Sequence, residues 1–192
     1  MAEEAEAGAR SVRRRRFDPN RRERIARAAI RVIGERGVEG LTHRAVAEAA
    51  DVPIAGTTYH YKDKEDLLAA ALEICVADYA AIMAAIPASH PEFTIGQLVD
   101  QTATALIGCF GPDRTITTVQ LELYIAAIRR PGLRPIADRF TAATRTMYSH
   151  YTDPDTAALL TDVAQGITLR GMATTNPPSE EQIRSQLLRC LP

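Results

Sequence analysis

A short run of hydrogen-bonding side chains lies within this 192-residue sequence: Thr57, Thr58, Tyr59 and His60. Their hydroxyls, phenol and imidazole suit contacts with phosphate oxygens and with the edges of bases. Ile54, three residues earlier, could contact the methyl group of a thymine. Side chains of these types can contact DNA if a helix presents them to a groove.

Two short helices are predicted to position these side chains. Thr42 can cap the first helix, and the second runs from about Pro53 to His60. The turn between them covers residues 50–52, where Asp51 can adopt the left-handed backbone that most other side chains avoid. Two short helices joined by such a turn are typical of a helix-turn-helix, whose second helix enters the major groove.

Helical spacing also surrounds this pair. An earlier helix is predicted to start at Asp18-Pro19 and to stop at Gly37, and Asp63 can cap a long fourth helix that breaks at Pro87–Pro91. The first helix has apolar residues at three- and four-residue steps, namely Ile25, Ala28, Ala29, Val32 and Ile33. Further apolar segments with a helical period follow at 93–110, 113–130, 133–151, 155–174 and 179–191.

We therefore expect an all-α protein of about nine helices, with an N-terminal three-helix helix-turn-helix domain and a C-terminal helical bundle. The predicted units are a disordered, Arg-rich tail at 1–17, the helix-turn-helix domain at 18–63 and the bundle at 64–192.

Charge is distributed unevenly along the chain. The formal net charge is -1, which by itself argues against a nucleic-acid partner. Residues 10–64, however, hold 14 Arg or Lys and seven acids, whereas residues 65–192 hold nine Arg and 14 acids. A basic N-terminal third followed by an acidic remainder indicates two separate functions within one chain. The run Arg13–Arg16 could act as an arm on adjacent phosphates or in a minor groove, although such runs are more often solvated.

Several other protein classes are not expected. The three cysteines, Cys75, Cys109 and Cys190, are odd in number and far apart, which excludes a disulfide framework and a zinc signature. A metal site built from two of them with His90 and His150 is not expected either, because those four residues fall on separate predicted segments. No arrangement typical of a catalytic site stands out, so neither enzymatic activity nor a cofactor is expected.

The most apolar stretch, Leu67 to Ala88, is long enough to suggest a membrane span. Glu73 and Asp78 interrupt it and Pro87 ends it, so a buried helix of a soluble protein is the better interpretation. The N-terminus has no apolar segment of the kind that secretory signals contain. We expect a cytoplasmic protein with no membrane partner.

The block from residue 21 to 72, about a quarter of the chain, resembles the DNA-binding domain of the TetR family of transcriptional regulators. Asp51 and Tyr61 replace the usual Gly and Phe of that pattern, and Tyr61 is expected to close the small domain against the first helix. Residues 54–56 replace a more polar stretch, which puts base readout at Gly56 in doubt. The matching residues are Ile25, Ala28, Ala29, Gly37, Thr42, Val46, Ala47, Ala50, Val52, Tyr59, His60, Tyr61, Lys64, Leu67 and Leu68.

The resemblance implies a homodimer that represses by default and binds a near-palindromic operator, with a C-terminal domain at 64–192 for a small effector and for dimerisation. Two recognition helices would then lie roughly 34–36 Å apart in successive major grooves. Carried over by position, the implied DNA contacts are Thr42, Arg44, Thr57, Thr58, Tyr59, His60 and Lys64.

The implied dimer interface is an intersubunit four-helix bundle of the last two helices. Its candidate residues are Leu160, Val163, Ala164, Ile167, Gly171, Ile183, Leu187 and Leu191. An apolar or aromatic effector of medium size is expected among the helices of residues 65–151, because inward-facing charges are scarce there. The candidate pocket residues are Tyr79, Met83, Phe93, Gln101, Leu106, Phe110, Gln120, Tyr124, Phe140, Met147 and Tyr148.

Effector binding is expected to move the fourth helix and to change the spacing of the two recognition helices. Two alternatives remain at this point. The regulator could respond to a protein partner instead of a small ligand, which a filled core among helices four to seven would favour. The chain could also be an enzyme with a fortuitous helix-turn-helix.

Overall fold

The computed structural model describes residues 20–112 and 114–192, and within these ranges the fold is all-α. The predicted disordered tail and the predicted helix start at Asp18-Pro19 lie outside the described residues. One 3-10 turn, Pro131–Leu133, precedes α7. The α-helices are α1 (Arg21–Arg36), α2 (His43–Ala49), α3 (Ile54–His60), α4 (Lys64–Ser89), α5 (Ile95–Cys109), α6 (Thr115–Arg129), α7 (Arg134–Ser149), α8 (Pro154–Ala173) and α9 (Glu180–Leu188).

Helix α1 buries its apolar residues and ends at a glycine, as the sequence predicts. The five apolar residues that recur at helical spacing are all buried. Gly37 takes a φ of 68°, and its N–H donates to the carbonyl of Ile33. A residue with a side chain would be strained at this φ, so glycine is the natural end of the helix.

The helix-turn-helix forms where the sequence predicts it. The Thr42 hydroxyl accepts from the N–H of Ala45 at 3.1 Å and caps α2. Asp51 has a φ of 50°, which confirms the left-handed position in the turn. Val52 packs against the adjacent core, and its N–H donates to the carbonyl of Ala47 at 3.0 Å, which ties the turn to α2.

Helix α4 is the longest helix in the described ranges and begins at its predicted cap. The Asp63 carboxylate accepts from the N–H of Asp66 at 2.9 Å. The predicted break at Pro87–Pro91 is confirmed, because α4 ends at Ser89, and Pro87 itself lies within the last turn of the helix. Proline removes one N–H donor, and so close to the end of a helix the loss is confined to a single hydrogen bond.

By length and composition α4 could cross a membrane. Its first half instead buries Leu67, Leu68 and Leu72 in the protein core, and α4 packs along α1 and α7. The first half of α4 is therefore a helix of the protein core.

Two apolar clusters form the interior. The first extends without interruption from α1 through the helix-turn-helix and the first half of α4 into α6 and α7, ending at Phe140. The second joins α5, α8 and α9 with the end of α7. The predicted domain boundary at residues 63 and 64 coincides with the start of α4, yet the first core crosses it. The helix-turn-helix domain therefore shares its interior with the C-terminal bundle.

Candidate DNA-binding surface and ligand site

Helix α3 presents an exposed face with both apolar and polar groups. The Tyr59 side chain is 83% exposed and Ile54 is 50% exposed, while Thr58 is exposed between them. His60 is half-buried, and its ring meets the Tyr59 ring edge-on with centroids 5.1 Å apart. This face of α3 is therefore accessible to a partner surface.

Thr57 is a correction to the expected set of DNA contacts. Its side chain is fully buried on the inner face of α3. Its hydroxyl donates to the carbonyl of Ile54 at 2.8 Å and lies 3.1 Å from Nδ1 of His43 on α2. The Thr57 hydroxyl, which the sequence predicts to contact DNA, instead joins α3 to α2.

The remaining expected DNA contacts lie beside the exposed face of α3. Thr42 and Arg44 are exposed at the start of α2. Lys64 is half-buried at the start of α4, with Nζ 3.4 Å from the carbonyl oxygen of Glu39. Lys62, an exposed cation that the expected set omits, lies two residues before it. Its position in a stretch with a second lysine is the signal that could have identified it.

Tyr61 fixes the end of α3 against α1, as predicted. The ring is buried, and its phenol donates to the carbonyl oxygen of Arg22 at 2.8 Å. The guanidinium of Arg22 lies over the ring, 5.6 Å from its centroid. Burial raises the pKa of the Tyr61 phenol above its ordinary value.

Three of the predicted pocket residues form an aromatic cluster between α4, α6 and α7. The rings of Tyr79 and Phe140 stack with centroids 4.0 Å apart. Tyr124 meets Phe140 edge-on at 6.5 Å. The stacked pair leaves no space for another ring between them, so this part of the core is filled.

The two phenols of the aromatic cluster are paired with threonines of α7. The Tyr79 hydroxyl lies 2.7 Å from that of Thr144, and the Tyr124 hydroxyl lies 2.9 Å from that of Thr141. Burial raises the pKa of the Tyr79 phenol above its ordinary value. Sequence reasoning missed both threonines, although their spacing of three residues on one helix was visible.

Two polar side chains extend this network. Gln120 donates to the Tyr124 hydroxyl at 3.5 Å, and Gln165 of α8 donates to the Thr141 hydroxyl at 3.4 Å. The aromatic cluster thus combines ring faces with neutral hydroxyl and amide groups. Such a surface can receive a ring system that carries a few polar atoms.

The other pocket candidates lie elsewhere. Leu106, Met147 and Tyr148 are buried in the second core, with Met83 and Phe110 packed against it. The Tyr148 phenol donates to Thr102 at 3.3 Å, and burial raises the pKa of Tyr148 to about 12.

Two pocket candidates, Gln101 and Phe93, lie outside both the aromatic cluster and the second core. Gln101 is exposed on the outer face of α5, so its expected role in a pocket is wrong. Phe93 stacks on His90 with centroids 4.3 Å apart and lies 6.4 Å from the Tyr151 ring, at the junction between α4 and α5. The periodicity of a helix identifies an apolar face, and it does not determine which neighbour that face meets.

The predicted dimer residues mostly pack within one subunit. Val163 and Leu191 are half-buried against the second core, and the other six are buried in it or beside it. Gly171 touches the ring of Phe110 so closely that no side chain would fit. The outer face of α8 instead exposes Leu159, Gly166 and Leu169.

The family relationship follows from two matched regions and from solved structures. Residues 25–71 match the family described as bacterial regulatory proteins, tetR family. Residues 93–192, more than half of the chain, match the family described as tetracyclin repressor-like, C-terminal domain. The chain belongs to the TetR family.

Several solved TetR-family structures are similar over most of their length. The multidrug binding protein EbrR complexed with proflavin is 43% identical, with 89% of this chain and 99% of that chain covered and a TM-score of 0.73. EbrR complexed with ethidium is 41% identical, with 91% and 100% covered and a TM-score of 0.75. A TetR-family member from Streptomyces coelicolor A3 is 41% identical, with 91% and 99% covered and a TM-score of 0.74. No curated protein matches the chain.

TetR-family membership makes this protein a transcriptional regulator by fold, and it implies a non-enzyme. Within residues 20–112 and 114–192, no group of three or more His, Cys, Asp or Glu could hold a metal ion. The two candidate sites are therefore the exposed face of α3 and the aromatic cluster. The aromatic cluster lies in the C-terminal bundle, residues 64–192, which we call the body.

The two adjacent threonines of α3 should respond differently to loss of the hydroxyl. Thr57→Val removes the partner of His43 inside the domain, so we expect a loss of about 1–2 kcal/mol in the free energy of unfolding. Thr58→Val alters an exposed side chain and should change that free energy by less than about 0.5 kcal/mol. Denaturant unfolding at one fixed protein concentration measures both, and equal losses would contradict the buried role of Thr57.

Proposed function

We propose that this TetR-family protein is a cytoplasmic, dimeric repressor that binds a near-palindromic operator and is released from it by a small aromatic effector. The observation that carries the DNA-binding part is the exposed face of α3. Tyr59, Thr58 and Ile54 project there with no covering element in the described chain, while Thr57 and Tyr61 hold the helix from behind. A rigidly held helix with a free outer face suits insertion into a major groove.

Charge supports the same surface. The basic excess lies within residues 10–64, and the acidic excess lies in the remainder of the chain. Contacts between cations and phosphates release counterions, so operator affinity should fall steeply with salt. The acidic body repels DNA and leaves the basic region as the favoured approach. Arg13–Arg16, outside the described residues, remains a candidate arm on adjacent phosphates.

Substitutions on the α2–α3 surface test the DNA-binding proposal. With a duplex selected from random DNA by the wild-type protein, Tyr59→Ala should lower affinity at least tenfold because it removes the most exposed side chain of α3. Arg44→Ala should also weaken binding and should reduce the salt slope by about 0.9 if Arg44 contacts a phosphate. Arg145→Ala, an exposed arginine on α7, is the matched control. Wild-type affinity for the Tyr59 variant, with its oligomeric state unchanged, would contradict the assignment.

The aromatic cluster supports a planar aromatic effector. EbrR, 41–43% identical to this chain, has been solved with proflavin and with ethidium. Both ligands are flat aromatic cations, which bind to ring faces by stacking and by cation–π attraction. Phe140, Tyr79 and Tyr124 offer such faces, and their hydroxyl and amide neighbours can accept ligand N–H groups. A ligand must separate Tyr79 from Phe140 to lie between them, so binding requires a conformational change in the aromatic cluster.

Proflavin binding tests this assignment. Phe140→Leu keeps an apolar side chain of similar volume but removes the ring face, so we expect at least a tenfold loss of proflavin affinity. Phe93→Leu is the matched control, because Phe93 is an aromatic residue outside the cluster. Fluorescence titration of the free protein measures both affinities. Equal losses in the two variants would exclude the aromatic cluster as the site.

The filled core also favours the alternative of a protein effector, as expected from the sequence. The stacked contact of Tyr79 with Phe140 is the specific observation behind it. One experiment distinguishes control by a protein from control by a small molecule. A regulator controlled by a protein binds its DNA duplex but shows no saturable binding of proflavin or ethidium. The similarity to EbrR makes the small-molecule function the primary proposal.

The outer face of α8 is our proposed dimer interface. Leu159 and Leu169 are exposed at 47% and 53%, and a side chain added at Gly166 would meet open space. Apolar residues and a glycine on one helical face permit the close approach of a second α8. This assignment keeps the predicted helix and replaces the predicted residues with those on its outer side.

A charge on the outer face of α8 should break the dimer. Leu169→Arg places a cation within the proposed interface, so we expect mainly monomer at micromolar concentrations in sedimentation experiments. Ile82→Arg is the control, since Ile82 on α4 is 57% exposed and lies outside the proposed interface. Dissociation by Ile82→Arg with an intact Leu169→Arg dimer would move the interface to α4.

A further inference from the structure

Glu122 on α6 makes a specific contact with the turn between α1 and α2. Its Oε2 accepts from the N–H of Val38 at 3.1 Å. Val38 follows Gly37, the left-handed residue that ends α1. A side chain on Gly37 would also approach the other carboxylate oxygen to 3.1 Å. The carboxylate is thus fitted against the backbone of the turn that leads into the helix-turn-helix.

A second close approach joins the same two helices. A Cβ added at Gly34 would lie 2.7 Å from Cγ2 of Thr115, at the start of α6. Two glycines at the end of α1 therefore let α6 lie directly against it. Because protein interiors are close-packed, a shift of α6 at this point must move α1 or break the contact.

The same helix also belongs to the aromatic cluster. Gln120 and Tyr124 flank Glu122 in sequence and lie on a different side of α6, where Tyr124 pairs with Thr141 and meets Phe140. One turn of α6 therefore touches both the proposed effector site and the turn before α2. A ligand between Tyr79 and Phe140 displaces a ring that meets Tyr124 on this turn, so its effect reaches α6 through the contact of Phe140 with Tyr124.

We propose that Glu122 is a positioning residue that couples effector binding to the orientation of the helix-turn-helix. The contact with Val38 forms in the ligand-free state, and displacement of α6 by an aromatic effector breaks it. The effector shifts the equilibrium because it binds the displaced state more tightly, and the hydrogen bond to Val38, present in the other state only, links that shift to the turn before α2. This inference rests on the proposed function, because it needs an effector that weakens DNA binding.

Other contacts between α1 and the body are less suited to coupling effector binding to the helix-turn-helix. Arg27 of α1 pairs with Asp78 of α4 at 2.6 Å, but both side chains are about half-exposed. Exposed ion pairs are weak and screened by salt. Asp78 therefore provides a matched control: it too is a carboxylate that contacts α1, but it lies on a different helix.

The test compares Glu122→Leu, Glu122→Gln and Asp78→Asn in the full chain, with proflavin as the probe and the selected duplex as the DNA. Because proflavin also intercalates between base pairs, Phe140→Leu, which is expected to lose the ligand site, measures the effect of proflavin on the duplex alone, and coupling is the effect in excess of it. Three quantities are measured for each: proflavin affinity of the free protein, and duplex affinity without and with saturating proflavin. The amide exchange rate of Val38 is measured in the wild type and in Glu122→Leu.

For the wild type we expect proflavin to weaken duplex binding at least tenfold. For Glu122→Leu we expect less than a threefold effect, with proflavin affinity within threefold of the wild type and faster exchange at Val38. Glu122→Gln should retain coupling, because its amide oxygen still accepts from Val38. Asp78→Asn should couple as the wild type does.

Wild-type coupling in Glu122→Leu would overturn the proposal, and so would loss of coupling in Glu122→Gln as complete as in Glu122→Leu. Unchanged exchange at Val38 in Glu122→Leu would show that the contact does not protect this amide, which overturns the proposal without reference to any ligand. A wild type that binds proflavin and DNA independently would instead refute effector release, the proposed function itself.

Discussion

The burial of α1 on two sides is the constraint on which the rest of the structure depends. One helix of 16 residues contacts α2 and α3 of the helix-turn-helix and also α4 and α6 of the body. A three-helix domain of this size has little apolar surface to bury by itself, and small domains are correspondingly marginal. Sharing α1 removes that limit, because the DNA-binding helices rest on a core that continues to Phe140.

A shared core has a functional consequence for a TetR-family regulator. A domain with a separate core would rotate freely about its linker. A conformational change in the neighbouring domain would then have little effect on its orientation. Here the described contacts between α1 and α6 are close-packed and include a hydrogen bond, so displacement in the body reaches the turn before α2. The recognition helix is held by further specific contacts, through Thr57 to α2 and through Tyr61 to α1.

The sequence predicts the positions of the helices well because their ends carry local chemical signals. Thr42, Asp63 and Gly37 each act through their own backbone or side chain, so neighbours in space are not needed to interpret them. The break at Pro87–Pro91 is also a local signal: a proline in the last turn costs only one hydrogen bond, and the helix ends two residues after it.

Contacts between helices were predicted less well, for a physical reason. Thr57 lies on α3 among residues suited to DNA, and only the three-dimensional packing shows that its hydroxyl meets His43. Leu187 and Ile183 form an apolar stripe that would suit a partner subunit or the chain's own core equally, and the stripe is buried in the core. Periodicity identifies a buried face, whereas the surface that covers it depends on residues far away in sequence.

The contact between Gly171 and Phe110 restricts what position 171 can hold. A Cβ added at Gly171 would overlap the Phe110 ring, so a larger residue would require that ring to move. The ring lies against the second core, where little free space is left for it. Positions 110 and 171 are therefore coupled in any change of sequence: a side chain at the second position demands a smaller one at the first.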